Sequence, residues 1–510
     1  MNFKCIYLFL LVMFSTLSNA LSQISKKPNI LIIYADDLGY GDVQCYNSSK
    51  GKIPTPNIDR LASEGMLFTD AHSSSAVSSP SRYALLTGRY HWRSRLQKGI
   101  VGMWKEPLIT PERTTVAGLV KEIGYKTFAI GKWHLGWNWP FKKDQLKNFI
   151  NFSSFEGKST TIKTKISPTV ENQRVWSQTF SKSITGGPTA VGFDYYFGTD
   201  VPNWPPFCFI ENDRTLGIPS EFLNPKFITT NMASYQGPAC KNWNLEAILP
   251  TICDRTIKII NEQAKSDDPF FIYLALTTPH TPLAVSDEWK NRSRLNNQYA
   301  DFVVQTDYEI GRILESLENT GISNNTIVFF TSDNGCGNYI GAEELKEQGH
   351  FVSGPLRGYK GDVWEGGHRI PFIVRYPGVV QSGTICNQLV HQVDIMETIA
   401  DLLNLELSDT IGEDSFSLVR LLKGSNKPVR ESAISTSVQG VQSIRYGNWK
   451  LICSEELQLY NLGYDIGETT NLANDHSRIV KKMLNLRKKI IVNGRSTKGK
   501  PQKNDVNVIY

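Results

Sequence analysis

Residues 29–37 read Asn-Ile-Leu-Ile-Ile-Tyr-Ala-Asp-Asp, an apolar run of strand length that ends abruptly on two carboxylates. A run without polar alternation suits a strand buried on both faces, as in a parallel sheet covered by helices. The same design recurs in YKTFAI (125–130), FFIYLAL (270–276), TIVFFT (326–331) and PFIVRY (371–376). Helical patterns fall between the runs: 57–64 stopping at Gly65, 115–123 stopping at Gly124, 298–319 closing at Gly321, and 393–403 followed by Asn404. Glycine or asparagine at these positions is the usual helix stop. Strands alternating with helices predict an α/β fold built on a large, mostly parallel sheet with helices on both sides.

Ligands bind such sheets beyond the C-terminal ends of the strands. There the sequence places Asp36 and Asp37 after the first run, Lys132 and His134 after the second, His280 after the third, and Asp333 and Asn334 after the fourth. Singly, an Asp pair is more often a turn or cap, and a lone His more often structural. Jointly, three carboxylates and an amide oxygen are hard ligands suited to Ca²⁺ or Mg²⁺ rather than Zn²⁺. A second feature is Ser78-Ser79-Pro80-Ser81-Arg82, with Gly88 a few residues on. Pro80 suits a first helical turn and Gly88 a helix end. Ser78 is therefore expected at a helix N-terminus, where backbone N–H groups favour an anion. By composition alone, the serine-rich stretch 73–81 is a loop.

At 510 residues, with 40% hydrophobic and 20% charged residues, the chain is large enough for one big core and a smaller domain. No internal repeat argues for a solenoid. Residues 1–20 read as a secretory signal: Lys4, an apolar stretch over 6–17 too short to span a bilayer, then Ser18-Asn19-Ala20 as a cleavage site. A mature chain from Leu21 in the periplasm or outside the cell follows, with no stable membrane insertion and no nucleic-acid partner. Cys45, Cys208, Cys240, Cys253, Cys336, Cys386 and Cys453 lack zinc-site spacing. An oxidising compartment permits one or two bridges, with Cys208, Cys240 and Cys253 as candidates; buried free thiols are the alternative. The expected domains are a catalytic domain over 21–425, with a Lys-, Ser-, Thr- and Asn-rich surface insertion of little periodicity over 142–187, and a C-terminal α+β domain over 426–510. The latter holds short strands at 432–436, 442–446 and 449–453 and a helix over 479–492. Residues 478–503 carry ten Lys or Arg and no acid, which reads as a solvated helix face and a loose basic tail.

The motifs together resemble the sulfatase family of the alkaline phosphatase superfamily, of the arylsulfatase A type. The resemblance rests on Ser78 to Arg82 with Leu86-Thr87-Gly88-Arg89, on Asn29 to Leu31 through Asp36-Asp37-Leu38-Gly39, and on Gly131-Lys132-Trp133-His134-Leu135-Gly136. It continues through Thr278-Pro279-His280, Ser332-Asp333-Asn334-Gly335, Lys360-Gly361, Glu365-Gly366-Gly367 with Arg369, and Leu459-Tyr460-Asn461-Leu462. It implies an alkaline-phosphatase-like α/β/α sandwich with a small antiparallel C-terminal domain, and hydrolysis of sulfate esters. It implies that Ser78 is converted to formylglycine (3-oxoalanine), and that Asp36, Asp37, Asp333 and Asn334 hold a calcium ion that also touches residue 78. Arg82 would hold residue 78; Lys132, His280 and Lys360 would bind sulfate oxygens and assist the leaving group; His134 would act on the hydroxyl of residue 78. Where animal members carry Cys, this chain has Ser78, which resembles bacterial enzymes matured by an anaerobic-type radical maturase. A sulfated polysaccharide or glycosaminoglycan is the expected substrate. Trp204, His368 and Arg369 are candidates to contact it, as are Trp92, Arg93, Arg95, Trp104 and Arg214. The alternatives are a phosphodiesterase or phosphonate hydrolase of the same superfamily, or a non-catalytic binder of sulfated glycan.

Overall fold

The computed structural model describes residues 27–149, 167–227 and 234–508, so the signal segment lies outside the described residues. The centre is a ten-stranded sheet. Across it run Thr384–Cys386, Met66–Phe68, Phe372–Arg375, Thr326–Ser332, Asn29–Asp36, Phe270–Pro279, Lys126–Lys132, Tyr195–Thr199, Ile210–Glu211 and Arg214–Thr215. The five strands from Thr326–Ser332 to Tyr195–Thr199 are parallel. Their register brings the strand ends level: Ala35 opposes Ser332, Asp36 opposes Pro279, and Lys132 opposes Thr199. Residues just past these positions therefore share one edge.

Alternate residues of the strands feed two cores. Ile30, Ile32, Tyr34, Phe271, Tyr273 and Phe329 point to one side, and Leu31, Ile33, Ile272, Leu274, Val328 and Phe330 to the other. The first core takes in Leu85 and Leu86 of helix Ser78–Thr87 and Ile395 and Ile399 of Asp394–Leu402. The second takes in helices Pro56–Glu64, Ile248–Gln263 and Gln298–Asn319. Both layers are fully desolvated, which is why the strands show no alternation in the sequence. The fold is the expected α/β sandwich.

Several elements differ from expectation. The run at 371–376 forms Phe372–Arg375, but it pairs antiparallel with both neighbours. Apolarity reports burial on both faces and carries no information on strand direction. Strand Tyr195–Thr199 and helix Ile248–Gln263 were not anticipated; the first is short and broken by Gly198, and the second carries Pro250 in its first turn and ends without a glycine stop. The described part of the insertion, residues 142–149 and 167–187, forms regular structure that its composition does not suggest. Thr169 caps helix Val170–Phe180, and Val175, Trp176 and Phe180 pack on Phe149. The indole of Trp176 donates to the Asn148 carbonyl at 2.6 Å.

The C-terminal domain is a four-stranded antiparallel sheet, Ser432–Thr436, Gln442–Tyr446, Trp449–Ile452 and Gln458–Asn461. Helix Ser477–Val492 covers it through Val480, Met483, Ile490 and Ile491. The residues after this helix are not a loose end. Asp505 pairs with Arg89 at 3.0 Å, Asn504 accepts from Arg93 at 2.9 Å, and Ser496 donates to Asp414 at 2.6 Å. Basic composition concealed these acidic and amide anchors.

A buried ionic network joins the domains, and it corrects two of the expected substrate contacts. His368 is fully buried, its Nδ1 3.1 Å from Nδ1 of His72. Arg369 is spent on Glu365 at 3.1 Å and Asp70 at 3.3 Å. From the C-terminal sheet, Arg445 reaches Asp70 at 2.9 Å, and Lys450 lies 3.0 Å from Glu365 and 2.8 Å from Glu468. Ligand atoms of His72, Glu365 and His368 lie close enough to hold a metal. Lys450 already supplies the cation, and Asp70, Glu365 and Glu468 balance Arg369, Arg445 and Lys450. Burial keeps both histidines neutral by pushing their pKa values down. Lys450→Met is expected to cost about 3–5 kcal/mol, because buried Glu468 loses its ion-pair partner and Glu365 loses one of three; equilibrium denaturation measures it, and a cost below about 1 kcal/mol would contradict this reading of the network.

Candidate active site

Ser78 opens helix Ser78–Thr87, whose preceding residue Val77 is extended and whose end is set by Gly88 in the left-handed region at φ 62°. A Cβ at Gly88 would also strike Met396 and Gly412 at under 3 Å, so only glycine fits this stop. The serine-rich approach to the helix is fixed by hydroxyl bonds rather than being loose. Ser81 donates to the carbonyls of Ser75 and Val77, Ser79 accepts from the Val101 N–H, and Ser74 pairs with His91. The hydroxyl of Ser78 lies 3.3 Å from Asp36 Oδ1.

One helical turn on, the buried guanidinium of Arg82 sits 3.4 Å from Asp36 and 3.2 Å from Asp333. It also donates to the Lys132 carbonyl and to Tyr273. Lys132 contacts Asp36 at 2.6 Å, and Lys360 contacts Asp37 at 2.7 Å. The Asp37 N–H donates to Asp333 at 3.0 Å, and the Asn334 amide donates to Asp37 at 2.8 Å. His280 lies 3.6 Å from Asp37. Nine of the ten residues expected from the sequence thus converge, while His134 lies just past the end of strand Lys126–Lys132 with no side-chain hydrogen bond to them.

The electrostatics fit a hard cation. Asn334 Oδ1 is buried with no hydrogen-bond partner, an unused acceptor on a side chain whose amide nitrogen contacts Asp37. Burial, reinforced by the charge of Asp36, pushes Asp333 up to about 7. A set of oxygen donors with an orphaned amide oxygen matches Ca²⁺ preferences, and Asp36, Asp37, Asp333 and Asn334 would hold the ion. Burial and Lys360 push His280 down to about 4, so its imidazole is neutral near pH 7. His134 is driven well below its usual range by burial and by Lys132.

Two site residues, Asp37 at φ 64° and His134 at φ 55°, adopt left-handed backbone that non-glycine residues rarely take. Such conformations cost roughly 1–3 kcal/mol each and persist where the surroundings hold them. The holders are identifiable. The Tyr299 hydroxyl donates to the Asp37 carbonyl, and Asp200 accepts from the His134 N–H at 3.2 Å and from the Trp137 indole at 3.2 Å. Asp200 follows strand Tyr195–Thr199 at the same sheet edge, so the strand-end rule finds it once that strand is recognised. Tyr339, whose hydroxyl donates to Asp37 at 3.1 Å, has no signal in the sequence.

Of the aromatic and basic residues considered for substrate contact, Trp204 stands beside the site, its ring edge-on to His134 at 5.3 Å. Trp92 is buried against Tyr90, Arg93 is paired with Asp414, and Trp104 packs on Trp139, Phe141 and Phe149. Arg95 donates to the carbonyls of Glu106 and Pro107, and Arg214 to that of Ser181.

Known proteins resemble this chain along most of its length. The sulfatase family model matches residues 28–405, and a model described as N-sulphoglucosamine sulphohydrolase, C-terminal, matches 359–493. An N-acetylgalactosamine-6-O-sulfatase of Bacteroides thetaiotaomicron is 30% identical over 91% of this chain and 93% of its own length. Human steryl-sulfatase is 31% identical over 82% of this chain and 73% of its own. A B. thetaiotaomicron sulfatase structure from work on the metabolism of multiple glycosaminoglycans superposes with a TM-score of 0.77 at 29% identity, covering 91% of this chain and 99% of that one. A Pseudoalteromonas sulfatase shares the fold, with a TM-score of 0.69 at 22% identity over 95% and 94% of the two chains. A converging set of buried carboxylates, cations and a helix-opening serine, in a chain matched along its length by these proteins, places it in the sulfatase family, whose members hydrolyse sulfate esters.

Proposed function

We propose that this enzyme removes sulfate from a sulfated carbohydrate of the glycosaminoglycan type, using formylglycine derived from Ser78 and a calcium ion. The observation that carries the proposal is the position of Ser78, at the buried N-terminus of its helix and 3.3 Å from Asp36, the carboxylate that Arg82 and Lys132 also contact. The carbohydrate is supported by the N-acetylgalactosamine-6-O-sulfatase, which aligns over nearly the whole chain. Export to the periplasm or beyond and maturation by an anaerobic-type maturase belong to the same reading.

Formylglycine supplies a nucleophilic oxygen and, on the same carbon, the oxygen that later expels sulfate. The chain's own groups do the rest. Asp36, Asp37 and Asp333 are matched one for one by Arg82, Lys132 and Lys360. A bound calcium ion would take over that charge balance and leave the ammonium groups of Lys132 and Lys360 for sulfate oxygens. Fixed positive charge in a dry site stabilises charge building on those oxygens. His134 has both ring nitrogens buried without a hydrogen-bond partner, so it can take a proton from the hydroxyl at residue 78. His280, its Nδ1–H held by the Thr281 carbonyl, presents an unprotonated Nε2, which must first gain a proton when the anionic substrate offsets Lys360 before it can pass one to the leaving oxygen.

The test is the mass of the tryptic peptide holding residue 78 after co-expression with such a maturase. A loss of two hydrogens is expected; an unchanged peptide in a fully active enzyme would overturn the formylglycine assignment. For His280→Ala, kcat/KM on a sugar sulfate should fall about 10²–10⁴-fold, the usual worth of a proton donor. A nitrophenyl sulfate, whose leaving group needs little protonation, should lose far less. Equal losses would reduce His280 to sulfate binding.

A further inference from the structure

The segment that carries Trp204 links strands Tyr195–Thr199 and Ile210–Glu211 of the main sheet. It is tied to a second segment: the Phe207 N–H donates to the Pro238 carbonyl at 2.9 Å, and the Cys240 N–H donates to the Phe207 carbonyl at 3.0 Å. Phe207 and Ala239 form an isolated parallel bridge, which makes Cys208 and Cys240 the next pair in register. Paired strands lie about 4.7–4.9 Å apart, inside the Cα separation of about 4.4–6.8 Å that a disulfide spans. The two thiols are hydrogen-bond neighbours. Cys253, the third candidate, is buried in helix Ile248–Gln263 beside Glu309. The second segment also carries Tyr235, whose ring lies 6.1 Å from that of Trp204.

We propose that Cys208 and Cys240 form a disulfide in the exported enzyme, and that this bond clamps the Trp204 and Tyr235 segments into one wall beside His134. The proposal rests on the export that the functional reading includes.

The chemistry suits the pair. Cys208 is 1% exposed, and burial raises its thiol pKa, whereas Cys240 is more accessible and its pKa is lowered by the hydrogen bond from Cys208. The Cys240 thiolate attacks one sulfur of a donor disulfide, such as a dithiol oxidase or oxidised glutathione, and expels the first donor thiolate. Cys208 then loses its proton and attacks the Cys240 sulfur of the mixed disulfide, expelling the second. Two protons and two electrons leave the protein, and the donor is reduced to two thiols.

Enzyme exported to a bacterial periplasm is to be alkylated with iodoacetamide, digested with trypsin without reduction, and mapped. Arg214 and Lys226 lie between the two cysteines, so a link joins separate peptides. The expected result is one species joining the Cys208 and Cys240 peptides, with neither residue alkylated. Folded enzyme made in a reducing cytoplasm should gain the same link on incubation with oxidised glutathione, whether or not the natural protein is exported. Both residues alkylated in both preparations would overturn the disulfide, and because peptide mapping needs no activity, that failure is distinct from failure of the sulfatase reading. For the clamp, mild reduction of the wild type and the double variant Cys208→Ser/Cys240→Ser should each raise KM for a sugar sulfate several-fold and leave kcat, and KM for a nitrophenyl sulfate, within about twofold. Unchanged KM for the sugar sulfate would overturn the clamp.

Discussion

Ser78→Ala is expected to lower sulfatase turnover by about 10⁴-fold or more, the loss typical of removing a covalent nucleophile from an otherwise intact site. The change deletes one oxygen from a side chain that is 2% exposed. Its contact Asp36 keeps Lys132 at 2.6 Å and Arg82 at 3.4 Å, so no charge is orphaned. Stability should therefore move by no more than about 1 kcal/mol, the worth of one hydrogen bond. Steady-state kinetics and thermal denaturation together decide it. Turnover above about one per cent of wild type would mean that another group attacks sulfur.

The second large effect concerns the cation. Asp333→Asn keeps the shape of a fully buried side chain and removes a charge and a hard ligand. Turnover should fall by at least about 10³-fold, because the cation and its alignment of the site are lost together. The stability effects should have opposite signs with and without calcium. In the ion-free protein, Asp333 has a pKa near 7 against an ordinary value of 3.8. The unfolded chain therefore ionises more readily, and the wild type loses stability as pH rises from about 4 to about 7. The asparagine variant lacks this penalty and should be the more stable of the two in a chelator at pH 8. With calcium at about a thousandfold its Kd, the wild type should gain about 4 kcal/mol, and the variant only a small part of that. Full turnover in exhaustively chelated wild type, or equal calcium stabilisation of both proteins, would contradict the metal assignment.

Much of this site is legible in the sequence because its residues obey a geometric rule. Parallel strands in level register place whatever follows them at one edge, so Asp36, Asp37, Lys132, His280 and Asp333 are found from the ends of apolar runs. The same rule missed Asp200 only because YYFGT is short and contains a glycine. Tyr339 was beyond reach, since it arrives from a loop turn fixed by tertiary packing. His368 and Arg369 sit in a motif next to the site in sequence, but their side chains turn toward charges on the C-terminal sheet. No local pattern records the partners Arg445 and Lys450, more than seventy residues away.

Burial of the signature helix has a consequence in time. Every residue of Ser78–Thr87 is buried, and Ser78 is sealed beneath the sheet edge in the finished fold. An enzyme that oxidises Ser78 must bring its own reactive centre to the serine's β-carbon, so it has to meet this stretch while it is still extended. Arg89 and Arg93, just beyond the helix, take their partners Asp505 and Asn504 from residues 416 and 411 positions further along the chain. Until those residues emerge, Arg89 has Glu413 at 3.2 Å and Arg93 has Asp414 at 2.8 Å, but the contacts that tie the stretch after the helix to residues 504 and 505 are missing. Under the proposed maturation, the interval between synthesis of Ser78 and arrival of Asn504 and Asp505 is the window open to the modifying enzyme, and a chain that folds within it keeps its serine.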